Sequence, residues 1–197
     1  MSQVATKALQ QALIDALAAG LRVASPDGFF TASAQFQRPN DTNAYAQYDR
    51  VADSTGAATV LEFPNVMRAT GEAVRIERVR MRKTSATLAN ATFRLHFFRT
   101  PPAVAVHDNG AFSSNAGTTL AVADIAGYIG TVDVVMDKAG TVGARGVGVP
   151  SAGSGITAEA AGTVDHERSL WCVVEALAAY APAAVETFTV TLEAARS

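Results

Sequence analysis

The sequence predicts an all-β protein, an antiparallel β-sandwich or jelly roll of about eight or nine strands with one N-terminal amphipathic helix. Three observations carry this. Short segments with two-residue alternation recur along the chain, separated by Gly, Pro, Asn and Asp turn signals. Helical periodicity is confined to the first twenty residues. The strand–helix–strand alternation of a doubly wound sheet is absent.

From Ser2 to Ala19, Val4, Ala8, Leu13 and Leu17 form an apolar stripe with Ala5, Ala12 and Ala16, and Ser2 and Gly20 supply the start and stop signals. Such a helix either packs on its own domain or acts as an arm on a neighbouring subunit. Leu13 and Leu17 are then contact candidates. The division is a helix or arm over 1–20 and a single β domain over 21–197. A turn at Ser25 to Gly28 precedes an alternating strand, Thr31 to Gln37, and Ala58 to Pro64 reads as a short buried strand ended by proline. Glu72 to Thr84 is the longest strand candidate. Val74 and Ile76 share one parity, while Val79 and Met81 have the other, so a β-bulge between Glu77 and Arg78 is needed to keep one buried face.

Ala91 to Pro102 places Phe93, Leu95 and Phe97 on one face and Arg94, His96 and Phe98 on the other. Further strands are expected at Thr118 to Ala123, Gly127 to Met136, Ser169 to Ala178 and Glu186 to Ala194. The tract from Gly140 to Gly162 holds 7 of the chain's 15 glycines. Its beginning, Thr141 to Val149, reads as a strand or hairpin, and the rest as a loop, either solvated or ordered by a neighbour. No G-x-G-x-x-G is present, which removes the dinucleotide fingerprint and phosphate cradling.

Composition narrows function further. The 197 residues suit one substantial domain. Hydrophobic residues reach 49% but aromatics only 7%, so the core is built of small layers. Charged residues make up 17%, below the globular norm of about 25%, which favours a subunit of an assembly. A net charge of −2 gives no general footprint for nucleic acid. The start lacks the basic and apolar regions of a signal peptide, and no run of about 18 apolar residues is present to span a bilayer; the expectation is synthesis in a cytoplasm and no membrane partner.

Chemistry is hard to find. Cys172, the single cysteine, reads as a small buried hydrophobe. His107 with Asp108 and His166 with Asp165 lack a ligand spacing, so no metal or other cofactor is expected. No nucleophile elbow occurs, and carboxylate pairs drawn from Asp108, Asp133, Asp137 and Glu175 are no more telling than in most sandwiches. No catalytic residue is assigned, and the expectation is a protein that is not an enzyme. The densest charge is Arg75, Arg78, Arg80, Arg82 and Lys83. On a strand, Arg78, Arg80 and Arg82 share a face, which is a solvated sheet surface, a contact for an acidic partner protein, or a polyanion contact.

The segment "RPNDTNAYAQYDRV" (Arg38 to Val51) reads as a corner, with Pro39 holding Arg38 extended and Asn40, Asp41, Thr42 and Asn43 closing Asx-type turns. Asp49 and Arg50 continue it as a polar rim, and Tyr45 and Tyr48 are candidates for the edge of a subunit contact. This segment, with "FRLHFFRTPP" (Phe93 to Pro102), "DNGAF" (Asp108 to Phe112) and the closing stretch from Leu170, resembles small virion proteins of tailed bacteriophages. The helix and the Gly-rich tract lie outside the resemblance. It implies a capsid decoration, or cement, protein on the exterior of the virion. Its partners would be the major capsid protein and copies of itself, as a trimer or dimer, bound across subunit boundaries of the shell. A tail or connector component and a carbohydrate-binding β-sandwich module are the alternatives.

Overall fold

The computed structural model describes residues 28–68, 72–114, 117–118, 122–150, 155–160 and 168–196. The proposed N-terminal helix with Leu13 and Leu17, and the Asp165–His166 pair, lie outside them. Twelve strands occur among the described residues: β1 (Phe29–Gln37), β2 (Arg50–Val51), β3 (Leu61–Phe63), β4 (Ala73–Lys83), β5 (Thr92–Phe98), β6 (Ser113–Ser114), β7 (Gly117–Thr118), β8 (Tyr128–Gly140), β9 (Gly143–Gly148), β10 (Ile156–Glu159), β11 (Leu170–Ala176) and β12 (Thr187–Arg196). One short helix, α1 (Val122–Gly127), precedes β8.

The fold is all-β and antiparallel, consistent with a β-sandwich or jelly roll, as the alternation predicts. The main path runs β1-β12-β4-β9-β8-β5-β11-β2, with β10 added to β4 and β3 to β11. It curls because β8 belongs to two ladders. Tyr128 to Val135 pair with β5, and Met136 to Gly140 form a hairpin with β9. Between the halves lies one core: Val74, Ile76, Val79 and Met81 of β4, Phe93, Leu95 and Phe97 of β5, Leu170, Cys172 and Val174 of β11, and Phe188, Val190 and Leu192 of β12.

The bulge in β4 falls where the change of parity predicts it. Arg78 lies opposite Glu193 and Ile76 opposite Ala194, so Glu77 is the extra residue, and Val74, Ile76, Val79 and Met81 all reach the core. Lys83 falls on the same buried face, which removes it from the exposed cationic cluster.

Two expectations about local structure are corrected. Thr118 to Ala123 is not a continuous strand: among the described residues Gly117–Thr118 pairs with β6, and Val122 already begins α1. This stretch is rich in alanine, a good helix former, and its apolar residues fit helical spacing as well as alternation. In the Gly-rich tract the hairpin read at Thr141 to Val149 is present, as β9 paired with the end of β8, but the part read as loop contains a further strand, β10. Ile156 and Ala158 alternate into the core while pairing with Ile76 and Val74. Glycine serves close packing here. A methyl group at Gly146 would collide with the carbonyl of Val135, and one at Gly148 with that of Asp133, so β9 approaches β8 only because these side chains are missing.

The two halves are covered differently. In β5 and β11 nearly every residue is buried, because a second cluster of Phe98, Phe112 and Val173 packs on their outer face with Val60, Val104 and Trp171. In β4, β9 and β12 burial alternates, leaving the outer face open.

Candidate functional site

Two regions concentrate charge. The first is the corner that follows β1. Asp41 N–H donates to the Pro39 carbonyl at 2.9 Å, and Asn43 N–H to Asp41 Oδ1 at 3.0 Å, the Asx-type turn expected of this segment. Arg38 does not reach solvent. Its guanidinium donates to Tyr45 Oη at 2.9 Å, Asp41 Oδ1 at 2.9 Å and Asp108 Oδ2 at 3.3 Å. Tyr45 Oη donates to Asp108 Oδ1 at 2.7 Å, and the same oxygen accepts the Ala52 N–H at 2.8 Å. Asp108 thus collects three chain segments on one carboxylate.

The backbone closes the corner further. Arg50 N–H donates to Gly110 O at 2.8 Å, Asn109 N–H to Arg50 O at 2.9 Å, and Phe112 N–H to Tyr48 O at 2.8 Å. Tyr48 and Asn109 take left-handed backbone, φ 75° and 59°. Arg50 is buried, donating to Thr59 O at 2.6 Å and to Val106 O, and Asp49 accepts the Ala46 N–H at 2.6 Å. Two of the segments that carry the bacteriophage resemblance, "RPNDTNAYAQYDRV" and "DNGAF", are therefore one zipped structure.

This corrects three readings. Tyr45 is 1% exposed and belongs to the core, so it cannot form the rim of a subunit contact. Its phenol is drawn inward by Asp108, a residue too distant in sequence for strand parity to reveal. Tyr48 and Tyr45 do not sit on a strand, since the chain turns at Tyr48 before β2; Tyr48 remains half-buried. Asp49 and Arg50 are interior groups, not a polar rim, because each satisfies backbone partners that would otherwise be left dry.

A second buried network lies beside it. Lys83 Nζ donates to Tyr180 Oη at 2.9 Å, Glu186 Oε1 at 3.1 Å and the Ser85 carbonyl at 2.9 Å. The Tyr180 ring lies parallel to that of Tyr45 with centroids 6.3 Å apart, joining the two networks. Burial pulls the Lys83 amine below the ordinary lysine range against the attraction of Glu186. Burial likewise raises the carboxyl of Asp108, opposed by the Ala52 N–H and Tyr45. Perturbed carboxyls often mark active sites, but this one cannot be reached. The adjacent cavity, lined by Arg50, Val51, Thr59 and Cys172, is about 10 Å³, room for a single water at most.

Other polar groups are also used internally. His96 and Glu175 meet at 3.1 Å between Nε2 and Oε2, His96 lying edge-on to Phe112. Arg94 grips Asp133 in a two-point contact at 2.7 and 2.8 Å. Among the described residues no three His, Cys, Asp or Glu side chains converge as metal ligands, and no helix is long and apolar enough to cross a membrane.

The second region is the open face of β1, β12, β4, β9 and the end of β8. Arg78, Arg80 and Arg82 share this face, as predicted. They are not equivalent. Glu193 on β12 takes Arg80 Nε at 2.6 Å and Arg78 Nε at 2.6 Å, so one carboxylate serves two arginines. Arg82 lies beyond its reach. Strand register places Arg82 between Thr189 of β12 and Arg145 of β9, Gln35 beyond Thr189, and Lys138 of β8 beyond Arg145. Arg145 and Lys138 carry no signal as a site in the sequence. Lys138 belongs to this face because β8 has a bulge at Asp137, the residue skipped between Met136 and Lys138, which reverses the parity of the rest of the strand.

No family model matches the chain, and no curated protein matches it. Among solved structures, a glycoside hydrolase described as putative, from Bacteroides thetaiotaomicron, superposes with a TM-score of 0.25 at 13% identity over 70% of this chain and 40% of its own length. The CBM2 module of the evolved Dit protein of Lactobacillus casei BL23 phage J-1 gives a TM-score of 0.21 at 11% identity, over 87% of this chain and 91% of that one.

Proposed function

We propose that the chain is a non-enzymatic structural protein of a phage particle, a decoration protein seated on the outside of the capsid shell and binding the major capsid protein and copies of itself. The observation that carries this reading is where the chemistry-bearing residues go. Arg38, Asp41, Tyr45, Arg50 and Asp108 are consumed by the corner, and what is left exposed among the described residues is the broad sheet face of β4, β9 and β12. A protein of this kind works by mass action. It binds the assembled shell in preference to the free subunit and adds the free energy of binding to the particle's stability.

The exposed aromatics Phe29 and Tyr128 lie on different halves, so they assemble no stacking platform for sugar rings. Quantitative mass spectrometry of purified particles tests the proposal. A copy number comparable to that of the shell subunit is expected. A few copies per particle would move the protein to the tail or connector, and absence from particles, with retention on immobilised glycans, would replace the reading by carbohydrate binding.

A further inference from the structure

We infer that Arg82, Arg145 and Lys138 form a recognition site for clustered carboxylates, and that its occupant is a short acidic segment of a partner protein. The row crosses three adjacent strands, β4, β9 and β8, with directly opposed residues. Neighbouring strands lie about 4.8 Å apart, so the three Cα positions span about 10 Å. Like charges directly opposite on a sheet face are destabilising. Two neighbouring arginines on this face have a carboxylate to relieve them, while among the described residues these three have only Asp137, 3.9 Å from Lys138 and half exposed. The fold offsets the cost of this cationic row only through that one distant, exposed carboxylate. The bulge at Asp137 even adds to it by bringing Lys138 onto the outer face.

The surroundings suit an extended anionic chain. The row borders an open groove of about 680 Å³ that runs along the β8–β9 hairpin through Thr84, Thr141 and Val142, with Val142 88% exposed at its tip. Thr189 and Gln35 continue the row with hydrogen-bonding groups. Two carboxylates on alternate residues of an extended peptide stand about 7 Å apart, within reach of side chains this long, and guanidinium groups bind carboxylates through two parallel bonds. Nucleic acid is a poorer fit. It needs a basic footprint along many phosphates, whereas this row ends in Thr189 on one side and its protein carries net charge −2.

The site rests on charge pattern and register, independently of the capsid reading, and is tested without particles. Titration of a fluorescent hexaglutamate peptide into the full-length protein at low salt should show saturable binding that weakens with added salt. The Arg82→Ala/Arg145→Ala variant should lose roughly tenfold or more in affinity. Arg75→Ala/Arg94→Ala, which removes the same charge elsewhere, should stay within about twofold. No binding at low salt, or equal losses in both variants, would overturn the site. Tighter binding of a single-stranded oligonucleotide or of heparin than of the peptide would overturn the choice of occupant.

Discussion

The corner and the open face each gather arginines and carboxylates, but they treat them in opposite ways. In the corner, Arg38 and Asp108 have fully buried side chains and each has several partners. On the face, Arg82, Arg145 and Lys138 are exposed and stand side by side. A buried charge is tolerated only when its hydrogen bonds are made, so the corner spends its chemistry on the fold. An exposed charge carries no such demand, and what it lacks internally it can take from another molecule. The contrast teaches that the densest charge in the sequence is a poor guide to a site; the useful quantity is the charge left over after internal pairing.

Breaking the corner should have the largest effect. Asp108→Ala strips partners from Arg38, Tyr45 and the Ala52 amide and should cost about 3–5 kcal/mol in urea unfolding; a loss under about 1 kcal/mol would mean the network is dispensable. Lys83→Ala should come next at about 2–4 kcal/mol, since it leaves the buried Glu186 with Tyr180 and the Ala183 amide but no positive charge. The buried phenols give a smaller, pH-resolved effect. Burial first, and then the nearby carboxylates Asp108 and Glu186, raise the pKa of Tyr45 and Tyr180. A group raised in the folded state gives its full stability below the unfolded value of 10.0 and loses it as pH climbs above. Stability should therefore fall above pH 10 by about 1.4 kcal/mol per pH unit for each tyrosine. Absorbance at 295 nm should show both phenols ionising only with unfolding, and Tyr45→Phe should halve this part of the slope. On the open face, Arg82→Ala/Arg145→Ala should change stability by no more than about 0.5 kcal/mol, toward greater stability. A large loss there would show that the arginines are structural after all and erase the contrast.

Much of the fold can be read from local pattern. The bulge at Glu77 is legible from a change of parity within eleven residues of one strand, β5 and β12 from alternation, and β11 from a short apolar run. What pattern cannot supply is convergence across the chain. Arg38 and Asp108 are 70 residues apart, and nothing in either segment says that they meet. Tyr45 looks like any exposed loop tyrosine until its acceptor is known. Glycines at 146 and 148 fall in a segment read as a strand or hairpin, but no local pattern says why they are glycine; two strands come too close there for a side chain. The cationic row fails to announce itself for a similar reason. Arg82 is visible within its cluster, but Arg145 and Lys138 become its neighbours only through strand register, and Lys138 only through a bulge that no parity break in apolar residues reveals.

Strand β8 has a mechanical consequence. Since its thirteen residues hold β5 along one stretch and β9 along the next, tension applied to either half passes through a single unbroken backbone into the other. Bonds in such a ladder, pulled along the strand, bear load together in shear instead of parting one after another. A molecule wired in this way would hand a force received on its open face straight through to its covered one.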